Sequence, residues 1–554
     1  MASDHSVEKI LIPPSHLPTV MLAVGYAAYW LELYVFRIPG GMTSPLATVI
    51  FLLIGIFCFL KQRGQMQTTF RDFAGQFFAV TLLEKIYILA GIGMGIVILG
   101  SAFYAACLPP HLSQEYDALN YHIAIPRQHL ILHSFGFIRW ASADLFLLPV
   151  DFALAPYWFI TAFPNKIPQF VFLLGLLGVA AGLVAKVTRD KNNLSMTILV
   201  LFMILGSHGI GIQMGSAMLD IVLCYLFLAA LDSFFRNRPA LALIEATFFF
   251  WSKPFIPLQM GLIGLGMGII WIASRKWRRA VQWGFDQEGD SAVGRDGDGK
   301  NDFRKACGGF IVLSVLIAGP FMTKSICYAS TPLFPFAPGI LKINPTLDYH
   351  SKTWESILLS CKIHMGVRDA YGYGHSGLNL LKHFWLLAVP DNNVNNKFDY
   401  PLGLPYLLCL GPFIYFLVNG FKGRKFMILP VFVVVYWGAW WLGSLQARFL
   451  YIPLVMMFIL IAGVAKTPSR ALMAGLLVAL AFNVLSIVRA HKKDFGLAYI
   501  DVLRPEDREI VKMNAQYRQT GRTDAVELDH ADAAFAQFPV VVIKENPPWA
   551  LAVK

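Results

Sequence analysis

Long apolar runs separated by short polar segments recur along almost the whole chain. They fall near 17–36, 43–60, 84–107, 166–186, 194–213, 216–235, 239–252, 255–274, 308–327, 402–420, 426–443, 448–465 and 470–489. A helix of about 20 apolar residues crosses the roughly 30 Å hydrocarbon core of a bilayer, so the pattern predicts about thirteen spans. The 239–252 run is short and Pro254 follows it. This predicts a broken hairpin with Ser252, Lys253 and Pro254 at its tip.

Basic residues orient such a bundle, because cytoplasmic loops carry the excess of Lys and Arg. The clusters are Lys61/Arg63/Arg71, Lys186/Arg189/Lys191, Arg236/Arg238, Arg275/Lys276/Arg278/Arg279, Lys422/Arg424/Lys425 and Lys466/Arg470. With thirteen spans and a cytoplasmic N-terminus, every one of them faces the cytoplasm. The outer face then carries the loops 108–165 and 328–401 and the tail 490–554. The first outer loop, with Trp140, Tyr157 and Trp158, predicts one or two amphipathic helices along the outer leaflet. The division expected is a transmembrane domain over 1–490 and a small extramembrane segment over 491–554.

Composition agrees with this picture. The 554 residues are 56% hydrophobic and only 14% charged, against roughly a quarter charged in soluble domains. The fold class expected is an all-α polytopic membrane protein. The formal net charge of +12 lies in short clusters between apolar runs, which suits membrane topology and not nucleic acid. Seven scattered cysteines with no CxxC offer neither a zinc site nor a redox pair. No cleavable signal peptide is expected: the first segment is polar, and no A-x-A-type site follows the first apolar run. In the cytoplasmic loop 276–307, GRDGDGKND holds Asp296, Asp298 and Asp302, a fragment of a calcium loop. Its fifth position is Lys300 and its twelfth Cys307, so a polar linker is expected instead.

Chemistry concentrates on the outer side. EYDALNYHIAIPRQHL brings Glu115, Asp117, Asn120, Tyr121, His122, Arg127 and His129 directly after an apolar run. On a helix, Asp117 and Tyr121 share one face and Glu115 and His122 another. A carboxylate at the membrane boundary can act as a general base or a metal ligand. A solvated amphipathic helix gives the same pattern. Asp220, in SAMLDIVLCYLFLAAL, starts an apolar helix. A carboxylate there is costly and functional by default, although it also offsets the helix dipole. Lys253, Lys324 and Arg448 end spans on the same side. Singly each can snorkel, but together they suggest an anion pocket for a lipid phosphate or pyrophosphate. His364, Arg368, Asp369 and His375 are candidate lid residues in the loop, although each singly fits a solvated position better.

These pieces resemble one pattern, that of the GT-C superfamily of membrane glycosyltransferases, related to protein mannosyltransferases and the aminoarabinose lipid A transferase. YDALNYHIAIPRQHL resembles the family's first outer loop. SAMLDIVLCYLFLAAL resembles its second acidic helix start, and SKPFIPL its T-K-P/Y hairpin. GPFMTKSICYASTPLFPF, PLGLPYLLCLGPFIYFL and QARFLYIPLVMMFILIAG resemble its later segments. The chain departs from the family in carrying Glu-Tyr-Asp in the first loop, Lys324 where Arg is usual and Ser325 where Asn is usual.

The resemblance implies a GT-C-like bundle. It implies a monosaccharide donor on a polyprenyl phosphate, and a lipid, glycan or protein acceptor whose hydroxyl attacks with inversion at the outer face of a bacterial inner membrane. It makes Asp117 the candidate base and has Asp220 orient the acceptor. Lys253, Lys324 and Arg448 then bind the donor phosphate, while Glu115, Tyr121 and His122 are secondary candidates. A divalent metal ion, if used, falls to Asp117 and Asp220. Two other readings stand beside this one: a transporter or flippase for an envelope precursor, and a non-catalytic subunit of an envelope assembly complex. Transporters favour internal repeats and midplane charges. No repeat is visible here, and the charges gather at one face.

Overall fold

The computed structural model describes residues 12–36, 43–107, 117–138, 142–159, 165–188, 194–273, 298–341, 371–388, 397–419, 428–464 and 470–493, with short pieces between 354 and 366. All regular elements among them are helical. The helices are α1 (Leu17–Leu31), α2 (Thr43–Ala79), α3 (Leu82–Cys107), α4 (Ala124–Leu132), α5 (Pro149–Trp158) and α6 (Ile167–Thr188). After them come α7 (Leu194–Gly206), α8 (His208–Gln213), α9 (Asp220–Phe235), α10 (Pro239–Trp251), α11 (Phe255–Ala273) and α12 (Asp298–Ala329). The last five are α13 (Gly377–Leu386), α14 (Leu404–Asn419), α15 (Ile428–Leu442), α16 (Tyr451–Val464) and α17 (Arg470–Lys493).

Five segments are long and apolar enough to cross a membrane: Ser44–Gly64, Leu82–Cys107, Ile167–Thr188, Arg304–Ala329 and Arg470–Ile487. A sixth is the bent pair α10 and α11. Apolar side chains cover the outside of these helices, as with Leu53, Ile56 and Phe57 on α2 and Val312, Val315 and Leu316 on α12. Such surfaces suit lipid rather than water. By this criterion the expected thirteen spans are not confirmed. Helices α7, α14, α15 and α16 are apolar but fall short of 18 residues, and hydropathy alone does not separate a buried core helix from a span.

The centre of the bundle is α16. Its sequence, YIPLVMMFILIAGV, is apolar on every side, so it can be satisfied only by burial on every side. Residues 451–462 are all buried, packed against α6, α7, α9, α14 and α15.

The predicted hairpin is present. Helices α10 and α11 meet at 110° around Ser252–Pro254, where Pro254 cannot continue the helix. Ser252 Oγ donates to Phe249 O at 2.6 Å and helps satisfy the end of α10.

Three sequence expectations are corrected. Helix α5, expected to lie along the outer leaflet, is no surface helix: all ten of its residues are buried, Tyr157 and Trp158 included. It packs on α1, where Gly25 leaves no room for a Cβ against Ala153 O, and Tyr157 Oη donates to Met21 O at 2.9 Å. The polar stretch with Lys61, Arg63 and Arg71 is not a loop but a continuation of α2. The linker expected over 276–307 ends early, because α12 begins at Asp298. Trp140, Asp296 and the tail from 494 onward lie outside the described residues.

Candidate functional site

Arg448 sits in the 3₁₀ turn Ala447–Leu450 that leads into α16. Its Nη1 lies 3.2 Å from Asp117 Oδ2 and 3.9 Å from Asp220 Oδ2. Its Nε lies 2.9 Å from Asp399 Oδ2, an ionic contact out of line with the N–H. Asp220 Oδ1 accepts a hydrogen bond from Lys253 Nζ at 3.0 Å. Three carboxylates and two cations thus meet at one place. Sequence reasoning picked out four of them, Asp117, Asp220, Lys253 and Arg448.

The local structure explains each position. Asp117 opens the wide helical turn 118–122, closed by Ile123 N donating to Ala118 O at 3.0 Å. Asp220 is the first residue of α9, where the helix dipole favours a negative charge. Gly215 turns the chain into α9 with φ +83°, and a Cβ there would run into Ala102 O of α3. Lys253 stands at the α10–α11 bend. Asp399 and Tyr400 both have positive φ, 54° and 74°. Side chains seldom adopt that region, and strain of this kind gathers at functional sites.

Asp399 was missed from sequence. The available signal was the one that exposed Asp220: a carboxylate immediately before an apolar run, here DYPLGLPYLL. Gln446 was missed too; its Nε2 donates to Asp399 Oδ2 at 3.1 Å.

Electrostatics divide the carboxylates. Burial pushes Asp117 upward, but the charges of Arg448, His122 and Lys253 outweigh it and hold the carboxyl below its ordinary value. Burial raises Asp399; Arg448 opposes this, and the neighbouring Asp117 and Asp220 add to the rise. Two carboxylates on one guanidinium therefore shift in opposite directions.

Beside this cluster lies a cavity of about 340 Å³, within the size range of small-ligand sites. One end is polar, with Tyr121, His122, Lys253, Gln446 and Arg448. The rest is mainly apolar, with Phe255, Leu258, Leu262, Phe336, Trp440 and Phe449 beside Gln259 and Ser444. Helix α11 and the end of α15 form much of the wall. His122 is buried, and its Nδ1 pairs with Asp151 Oδ1 at 2.8 Å.

Lys324 is not brought to this place. Its Nζ donates to Asp144 Oδ1 at 2.6 Å, lies 3.1 Å from His129 Nε2 and sits 3.9 Å from the Phe135 ring centroid. His129 Nε2 donates to the same Asp144 oxygen at 2.6 Å. This second cluster is closed and ties the segment 129–144 to α12. His129 is thus a core residue, while Arg127 lies over the Phe159 ring at 5.3 Å. Among the proposed lid residues, His375 Nε2 contacts Gly443 O at 3.1 Å. Glu115, His364, Arg368 and Asp369 lie outside the described residues.

A divalent ion does not fit the carboxylates as they are arranged. Asp117 and Asp220 both face Arg448 Nη1, so a cation between them would meet a guanidinium. Among the described residues no group of three or more His, Cys, Asp or Glu could hold a metal ion. No family model matches the chain, and no curated protein or solved structure matches it either.

Proposed function

We propose that the chain is a membrane glycosyltransferase of GT-C type. It moves a monosaccharide from a polyprenyl-phosphate donor to a hydroxyl of a lipid, glycan or protein acceptor at the outer face of the membrane. The observation that carries this reading is the union of two unlike parts: a mainly apolar cavity against the α10–α11 bend, and a cluster of charged groups at its polar end. A lipid phosphate has the same two parts.

In this reading the prenyl chain lies along Phe255, Leu258 and Leu262, and the phosphate reaches Lys253 and Arg448. Both cations are balanced by aspartates before the donor enters. The phosphate therefore competes with Asp117, Asp220 and Asp399 for them, and the carboxylates are released toward the sugar and acceptor. As the C–O bond to phosphate breaks, negative charge grows on the leaving oxygen, and cations in a partly dry site stabilise it. Lys324, locked to Asp144, takes no part.

Mass spectrometry of envelope lipids and glycans from cells with and without the gene tests the reading. Loss of one sugar, restored by the wild-type gene and not by Arg448→Ala, is expected. Unchanged glycans, with a small solute or precursor accumulating on one side of the membrane, would overturn it in favour of transport.

A further inference from the structure

We propose that the imidazole of His122, oriented by Asp151, accepts the proton of the attacking hydroxyl in this cavity. The inference rests on the glycosyl-transfer reading of the same site. It assigns to His122 the role that the family resemblance gives to Asp117.

His122 lines the cavity beside Tyr121, Lys253 and Arg448. Its Nδ1 is 2.8 Å from Asp151 Oδ1, and both side chains are almost wholly buried, at 1% and 0% exposure. An ionised Asp151 only accepts, so it selects the tautomer with the hydrogen on Nδ1, and in that neutral imidazole Nε2 keeps its lone pair. Nε2 is buried and has no hydrogen-bond partner among the described residues. Buried polar atoms are nearly always satisfied, so an unpartnered one on a side chain that lines a cavity calls for a ligand group. A hydroxyl supplies the needed donor. The arrangement follows the general logic of an oriented base: a carboxylate fixes the tautomer and stabilises the imidazolium that forms.

Asp117 is worse placed for this work. Its Oδ2 is held by Arg448 at 3.2 Å, and it is not among the residues that line the cavity. The charge that keeps it ionised also makes it a weak base. The groups facing His122 are Asp151 on α5, Asp117 and Tyr121 on its own turn, Asp220 on α9, Lys253 at the bend and Arg448 ahead of α16.

The acceptor oxygen forms a bond to the anomeric carbon while the bond from that carbon to the phosphate oxygen breaks. The electron pair of the broken bond leaves with polyprenyl phosphate. The hydroxyl proton passes to His122 Nε2 and from there to solvent or to the departing phosphate.

The test uses the full chain in lipid nanodiscs. Donor and acceptor come from a lipid extract of the deletion cells, which lack only the transferred sugar on the acceptor. Transfer by His122→Ala is expected to fall about 10²–10⁴-fold, and added imidazole restores part of it. Asp151→Asn loses less and shifts the acid limb of the pH–rate profile. Asp117→Asn lowers the rate but leaves that limb in place. His122→Asn carries the test if the alanine variant fails to fold. Wild-type rates from either His122 variant, or an acid limb that Asp151→Asn leaves unmoved, would overturn this proposal and leave glycosyl transfer standing. If deletion of the gene removes no sugar, the transfer reading falls first and this one with it.

Discussion

Arg448 Nη1 and Asp117 Oδ2 lie 3.2 Å apart although 331 positions separate them in the chain. The same guanidinium also faces Asp220 and Asp399. Replacing it with alanine strands three carboxylates in one largely desolvated place. Loss of one partner from a buried pair costs about 3–5 kcal/mol. Arg448→Ala is therefore expected to lower the thermal midpoint of the solubilised protein sharply. Arg448→Lys should fall between it and wild type, because one ammonium cannot replace a planar fork that serves several acceptors. Equal midpoints for wild type and the alanine variant would contradict this.

The Lys253–Asp220 pair, at 3.0 Å, joins the α10–α11 bend to the start of α9. Lys253→Met leaves Asp220 buried with only the more distant Arg448 contact. Adding Asp220→Asn removes the stranded charge. The double variant is expected to be more stable than Lys253→Met alone, with a coupling of about 1–3 kcal/mol in a denaturation cycle. Additive effects would mean that the two residues do not interact in solution.

The second cluster gives a pH prediction. Burial raises Asp144, but Lys324 and His129 outweigh it and hold the carboxyl below its ordinary value. A depressed carboxyl stabilises the fold above its unfolded value, about pH 3.9, and that contribution is lost as pH falls through the folded value. Wild-type stability is expected to decline on acidification below about pH 4, and Asp144→Asn, already weaker at neutral pH, to decline less. Parallel acid curves for the two proteins would remove Asp144 from the account.

Gly403 has φ +89°, and a Cβ there would come 2.9 Å from His208 Cβ and N. The turn is fixed on both sides: His208 N donates to Leu402 O at 3.1 Å, and Leu402 N to Leu387 O at 2.7 Å. Gly403→Ala must strain this turn, four residues after Asp399, at a cost of about 1–3 kcal/mol. A lower thermal midpoint is the expected outcome. An unchanged one would show that the loop relaxes freely.

The sequence by itself determined the helical, lipid-facing character of the chain, because apolar runs of that length leave the backbone no other way to satisfy itself away from water. It also determined the break at Ser252–Pro254, since proline acts locally. Carboxylates and cations next to apolar runs were legible as costly residues, and this singled out Asp117, Asp220, Lys253 and Arg448. Hydropathy could not show which apolar helices lie inside the bundle, so α5, with Tyr157 and Trp158, read as a surface helix when it is core. Only the tertiary structure decided which charges meet. Lys324 looked like the equal of Lys253, but packing of the turn at Asp144 on α12 gave it to Asp144. Asp399 and Asp151 joined the site through chain reversals and helix contacts over long separations. Partner choice among buried charges is set by geometry within a few ångströms, because Coulomb attraction in a low-dielectric interior outweighs desolvation only at contact. No spacing along the chain encodes that geometry.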